Sequence, residues 1–378
     1  MMAWMTHRER VLAAIDRQET DRPPIDFGGT LATTIVPSTY EELKHYLGET
    51  HTTTIGWKRQ QLVLPDETIL KRFDVDTRPL KLGDYETGKA IVLSENRMMD
   101  HWGTTWSKEA GGHYLNVDGP FYQTEADPAL IDAYDWPNPD DLGLYRGLKK
   151  KAEDLHNGTD YAVILDLGIG IVTRAQFVRG FMEFLMDMTL QPEFAKALLS
   201  KLGQIWIRIA RNALQEVGHL VDVVFWGDDY GMQQAPMFRP QHFTDLVKPV
   251  NQRMVATVKE LSDARVLLHS CGSVAPMIPD MIDTGVDALN PVQVSADNMD
   301  PAKLKAEFGD RLAFWGGIDT QDVLPFRTPA EVCEYVHFII KTLGKGGGYV
   351  LSTVHNIQEQ VPPENIVAMF EACLANRT

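Results

Sequence analysis

Apolar and polar positions alternate with two different periods along this chain. Thr6 to Glu9 reads as a capping box that opens an amphipathic helix running to about Arg17. "RPPIDFGG" then gives a short apolar stretch, Ile25 to Phe27, ending in glycines, and Tyr40 to Leu47 has helical spacing. From about Lys58 to Tyr122 the pattern is irregular, with strand-like pieces such as "KAIVLSE" and "GHYLNVDGPF". This region predicts a β-hairpin-rich excursion. "WPNPDDLG", Trp136 to Gly143, reads as a loop.

From Tyr161 onward the pattern becomes regular. Near-continuous apolar runs of strand length, "YAVILDLG", "VDVVFWGDD", "ARVLLHSCG", "VDALNPVQ", "RLAFWGGID" and "GGYVLSTVHN", alternate with helical segments. Helices are expected at about 174–188, 192–217, within 240–261, at 274–284, 329–343 and 363–375, with "PAKLKAEFG" as another. Continuous apolar strands joined by helices imply a parallel sheet covered on both faces. Adding the Ile25 strand and one more near residues 75–95 reaches eight, so the expected fold is α/β, a (β/α)8 TIM barrel. One domain over 1–378 is expected, with about 50–125 as an irregular insert. An open doubly wound sheet is disfavoured, because no G-x-G-x-x-G follows the first strand. "KGGGYV" precedes a strand instead of opening a helix, and so reads as a turn.

In such a barrel the chemistry gathers at the C-terminal ends of the strands. Those ends carry Asp26, Asp166, Asp228 with Asp229, His269 with Cys271, Asn290 with Gln293, Asp319, and His355 with Asn356. His269 and Cys271 stand at i and i+2 on a strand end and can converge on one point. Imidazole and thiolate together suit a borderline-soft metal such as zinc. An isolated H-x-C pair is commonly two buried residues; its place at a mouth that also carries His355 favours a metal site, with His355 as third ligand. Asp228 and Asp229 are candidate proton-transfer groups, although acids also close turns and cap helices. Trp226 and Trp315 end two strands and could wall a planar ligand; core packing is the alternative.

The totals narrow the partners. Net charge is −16 over 378 residues, which argues against nucleic acid and anionic membrane. The chain holds three cysteines, too few for a disulfide framework, and Cys333 and Cys373 lie in helical patterns. There is no signal-peptide pattern and no apolar run of membrane-spanning length, so a cytoplasmic location is expected.

"HSCG", "NPVQ", "FWGGID" and "HNIQ" followed by "VPPENI" resemble the uroporphyrinogen decarboxylase superfamily, and in particular its zinc-dependent, corrinoid-linked methyltransferase branch. The opening "THRERVLAAIDRQETDRPPIDF" is similar too, while about 50–125 matches weakly. The resemblance implies a (β/α)8 barrel. Decarboxylases of the family carry a basic R-Q-A-G-R-like stretch after the first strand; here "DFGGTLATT" has no arginine. The methyltransferase branch carries H-x-C and a later cysteine as zinc ligands. His269 and Cys271 match the first two, and the later cysteine's slot falls on His355. Gln293 stands about where a related arrangement has a liganding glutamate.

The implied activity is transfer of a methyl group from a small methylated donor, such as a methoxylated aromatic, to the Co(I) corrinoid of a partner protein. In that reading Asp228 or Asp229 is general acid, and Asp26, Trp226, Asn290, Gln293, Trp315, Asp319 and Asn356 contact substrate. The corrinoid is expected on a separate protein, since no D-x-H-x-x-G stretch is present. Alternatives are methyl transfer from methylcorrinoid to a thiol or folate, a metal-free decarboxylase, and a non-enzymatic binding barrel. A homodimer is an open expectation.

Overall fold

The computed structural model describes residues 4–109 and 112–376. Among them, seven parallel strands follow one another in chain order around a curled sheet: Thr77–Lys81, Ala162–Ile169, Val223–Gly227, Arg265–His269, Ala288–Asn290, Ala313–Ile318 and Tyr349–Thr353. The expected strand at Ile25 to Phe27 is reduced to a single parallel bridge between Ile25 and Leu351. Two prolines, Pro23 and Pro24, remove the donors that a longer ladder would use. The segment still joins the sheet's two edges. Asp26 N donates to Leu351 O at 2.9 Å, and Asp76 N donates to Ile25 O at 2.8 Å. The eighth stave is therefore present, as a stitch and not a full strand.

Strand alternation divides the side chains into two cores. Ile164, Val223, Phe225, Leu267, Trp315 and Val350 point into the barrel, where Val11, Ala14 and Ile15 of the His7–Ile15 helix join them. Their neighbours Val224, Trp226, Leu268 and Leu289 point outward into the helical layer. The predicted capping box is formed: Thr6 Oγ1 accepts from Glu9 N, and the Glu9 carboxylate accepts from Thr6 N. The long Pro192–Val217 helix buries Leu198, Leu202, Ile205 and Ile209 at three- and four-residue spacing. The single helix expected at about 174–188 is two helices, Ile171–Arg179 and Phe181–Leu190. Gly180 has φ of 101° at the break, a conformation helices do not contain.

The excursion is antiparallel, as its alternating pieces suggest. Thr54–Trp57 pairs with Leu62–Leu64, and Ile91–Ser94, Arg97–Met99, Thr105–Ser107 and Leu115–Asp118 form a four-stranded sheet. Residues from both pieces wall the barrel mouth. No described helix is long and apolar enough to cross a membrane.

Candidate metal centre at the barrel mouth

A cavity of about 450 Å³ opens at the C-terminal end of the sheet. Its inner wall carries Gly227, Asp229, His269 and His355, and its outer wall carries Leu62, Trp106, Phe177 and Arg59. One ligand atom each from Asp229, His269 and Cys271 lies within 4.8 Å of the others. Asp229 Oδ1 is 3.6 Å from His269 Nε2 and accepts from Cys271 Sγ at 3.3 Å.

Two loops are pinned together to produce this meeting. Gly272 (φ 84°) lies so close to Gly231 that a Cβ on it would stand 2.5 Å from the Gly231 carbonyl carbon. Any side chain there would push the Cys271 loop away from the loop that follows Asp229. Tyr230 N donates to Ser270 Oγ at 3.0 Å, and Ser273 N donates to Met232 O at 2.8 Å. Gln293, a candidate ligand by position, instead supports this clasp. Its Oε1 accepts from Gly272 N at 2.8 Å, and its Nε2 donates to Gln233 Oε1 at 2.7 Å.

His269 is oriented through its other nitrogen. Nδ1 lies 2.5 Å from Asn290 Oδ1, while the Asn290 amide donates to Trp315 O at 3.1 Å. With the Asn290 amide fixed that way round, Nδ1 carries the proton. The Nε2 lone pair is left facing Asp229, the arrangement that a ligating histidine requires. Burial, and then the neighbouring Asp229 charge, push the Cys271 thiol well above its ordinary range. A thiolate and a carboxylate in contact inside the protein call for a compensating cation, and a divalent ion reverses the shift. Imidazole, thiolate and carboxylate are together a zinc donor set, so these three residues fit that metal.

His355 stands beside this cluster and outside it. Its ring meets that of His269 edge-on at 5.6 Å between centroids, and it lines the same cavity. The protein packed around it, and then His269, hold its imidazole below the ordinary range.

Of the other expected site residues, most lie away from the cavity. Asp228 is fully buried; its oxygens accept from Val172 N, Thr173 N and the Tyr230 hydroxyl, so it caps the Ile171–Arg179 helix. Burial pushes its pKa up to about 6. Asp26 accepts from Thr77 Oγ1, Gly29 N and Trp315 Nε1 inside the barrel. That places both Asp26 and Trp315 beneath the mouth. Trp226 faces the helices, against a small void lined by Gly203, Trp206 and Met254. Asp319 closes a turn by accepting from Gln321 N and Asp322 N. Asn356 does line the cavity, and its amide ties down the 31–34 loop through Leu31 O and Thr34 N. Asn290 is buried beneath His269 as its orienting partner.

Sequence reasoning missed Arg59, Trp106 and Phe177 on the outer wall. It also missed Gly231 and Gly272, whose "YG" and "CG" positions after strand ends were the available signal.

A barrel with a donor cluster at the C-terminal strand ends defines the class of protein. A family model described as Uroporphyrinogen decarboxylase (URO-D) matches residues 164–375, more than half of the chain, and the chain belongs to that family. It is 26% identical over 195 residues to a uroporphyrinogen decarboxylase of Legionella pneumophila (strain Corby), covering 51% of each chain. It is 26% identical over 203 residues to that of Coxiella burnetii (strain Dugway 5J108-111), covering 53% of each. The chain thus spans about half the length of the curated relatives it matches. A methyltransferase from Methanosarcina mazei shares the fold over 98% of this chain and 99% of its own, with a TM-score of 0.65 at 18% identity.

Proposed function

We propose that the protein is a zinc-dependent methyltransferase that moves a methyl group from a small methylated donor to the Co(I) corrinoid of a partner protein. The observation that carries this reading is the His269–Cys271–Asp229 cluster, two of whose members, Asp229 and His269, line the cavity. His269 Nε2, Cys271 Sγ and Asp229 Oδ1 would hold the metal, with His355 next to them. When bound, zinc supplies Lewis acidity toward the donor's oxygen or nitrogen. Asp229 is thereby moved from proton transfer to ligation, because its carboxylate already contacts both other donors. Asp228 has no path to the cavity, so no proton-transfer role is assigned to it.

The chain's residues do the rest. Asn290 fixes the His269 tautomer, Gln293 and Gly272 hold the Cys271 loop, and the apolar outer wall keeps water from the donor. In such a transfer the donor atom would keep the bonding electron pair, and the partner's Co(I) corrinoid would supply the pair for the new bond to carbon.

The decarboxylase reading is favoured by the curated relatives. Against it stand the missing arginines after the first barrel segment, where "DFGGTLATT" offers no basic side chain to substrate carboxylates.

The test is elemental analysis of the purified protein, followed by a methoxylated-donor screen with a reduced corrinoid protein, read from the corrinoid's visible spectrum. About one zinc per chain and corrinoid methylation that depends on the donor are expected. Metal-free protein with decarboxylase activity would replace this reading with the second.

A further inference from the structure

Arg59 lies on the outer wall of the cavity, across from the donor cluster. Its guanidinium stacks 4.1 Å from the Trp106 ring and 5.2 Å from the Phe177 ring. Among the described residues no carboxylate forms an ion pair with it and no hydrogen-bond acceptor takes its protons. A second half-buried arginine here is differently placed. Arg174 sits over Trp102 at 4.6 Å and faces Asp100 at 3.7 Å. The Asp100 carboxylate is further engaged by Trp102 N, Thr104 N and Trp106 Nε1. Asp100 therefore pairs with Arg174 and reaches Arg59 only through space, so Arg59 has no ion pair of its own among the described residues and stands beside a second cation.

Burial, with Arg174 adding to it, pulls the Arg59 pKa below the ordinary arginine range. A charge under that pressure is held only at a cost, and an anion beside it offsets the cost. Aromatic stacking leaves the guanidinium edge free, and that edge matches a carboxylate with two parallel hydrogen bonds. Around it Leu31, Leu62, Trp106 and Phe177 give the cavity an apolar side. Such walls take a planar ring better than a flexible or fully polar molecule.

Building on the methyltransferase reading, we infer that the donor is a methoxylated aromatic acid, its carboxylate held by Arg59 and its ring lying along Trp106 and Phe177. The methoxy group then points toward Asp229, His269 and Cys271. Arg59 is in this account a binding residue that fixes which end of the donor reaches the cluster. It also explains how a chain of net charge −16 would accept an anionic substrate: a cation with no ion-pair partner among the described residues stands inside the cavity.

The test measures binding and needs no corrinoid. The three methoxybenzoates and the matching methoxybenzamides are titrated into the zinc-loaded protein by calorimetry. The expected result is that at least one acid binds about 10- to 100-fold more tightly than its amide, the range for a charge-assisted hydrogen-bonded pair. Arg59→Gln should remove that preference and leave amide binding within about twofold, while Arg59→Lys should restore part of it. Equal binding of acid and amide, no acid binding at millimolar concentration, or an equal loss of both in Arg59→Gln would overturn the inference. Circular dichroism of Arg59→Gln, matching that of the parent, separates loss of the contact from loss of the fold. If the acids bind as described and no methyl reaches the corrinoid, the carboxylate site stands and the methyltransferase reading falls. If neutral donors are demethylated with Arg59→Gln unaffected, that reading stands and this one falls.

Discussion

Two sets of ionisable side chains end the barrel strands, and they meet opposite fates. Asp26, Asp166 and Asp228 lie in the interior and at the first strand ends, and each is closed. Asp166 accepts from Leu31 N, Gly168 N and Trp57 Nε1; Asp26 and Asp228 each accept from three donors. Asp229, His269 and Cys271 instead bring one ligand atom each within 4.8 Å of the others at the barrel mouth, with Asp229 38% exposed at its side chain. The difference lies in saturation and not in residue type. A carboxylate whose lone pairs are filled by backbone donors and indole or hydroxyl groups is holding the fold together. One whose nearest polar atoms are a thiol and an imidazole nitrogen has valence left for a ligand.

The largest expected effect separates the open set from the remaining thiols. Cys271→Ala and His269→Ala should each lower zinc affinity by roughly 100-fold or more, since loss of even an orienting partner costs 10- to 100-fold. Cys333→Ala and Cys373→Ala should retain the metal, because both thiols lie in helices, with backbone carbonyls as their nearest acceptors. Metal content after dialysis against a graded chelator measures this. Full zinc retention in Cys271→Ala would move the metal elsewhere.

The same contrast explains what the sequence made legible. Apolar run length and alternation exposed the parallel strands, because each is buried on both faces. The first stave was harder: at Pro23-Pro24 the chain makes one bridge where the pattern suggested a strand. His269 and Cys271 were legible from i, i+2 spacing on a strand end. Asp229 as their neighbour was not, since which of two successive acids turns inward depends on where the strand stops. In the structure Gly227 ends it, Asp228 turns back to cap a helix and Asp229 emerges at the mouth. Trp226 was misleading for a related reason: strand alternation sends it to the helical layer. Arg59 carried no signal at all, because its place over the mouth is set by the fold of an excursion with no periodic pattern.

A sharper test sets the two adjacent acids against each other. Asp228→Ala removes the acceptor of two helix N-terminal N–H groups and a buried tyrosine hydroxyl, and should cost about 2 kcal/mol of stability. Its zinc affinity should stay near that of the parent. Asp229→Ala should do the reverse, with roughly 10- to 100-fold weaker zinc binding and metal-free stability within about 0.5 kcal/mol of the parent. Urea unfolding of the metal-free proteins, paired with zinc titration, reads both axes. Zinc loss in Asp228→Ala at unchanged stability would reverse the assignment.

The smallest effect is a pH dependence of the closed set. Burial raises the Asp166 pKa from 3.8 to about 6, against the lowering effects of its Gly168 contact and of Lys81. A raised carboxylate pKa means that the folded state binds the proton more tightly than the unfolded chain does. The stability this contributes is therefore full below pH 4 and is lost as the pH rises through 6. Asp166→Asn cannot titrate, so it lacks that loss. It should be less stable than the parent at pH 4, since its amide cannot serve all three donors. Between pH 4 and pH 7 the gap should narrow by about 1 kcal/mol, less than the full shift implies because a buried charge draws in water and relaxes its surroundings. Urea midpoints for the metal-free pair across that range measure the gap. Parallel pH curves for the two proteins would mean that Asp166 is ionised throughout, and that saturation by donors outweighs burial at this position.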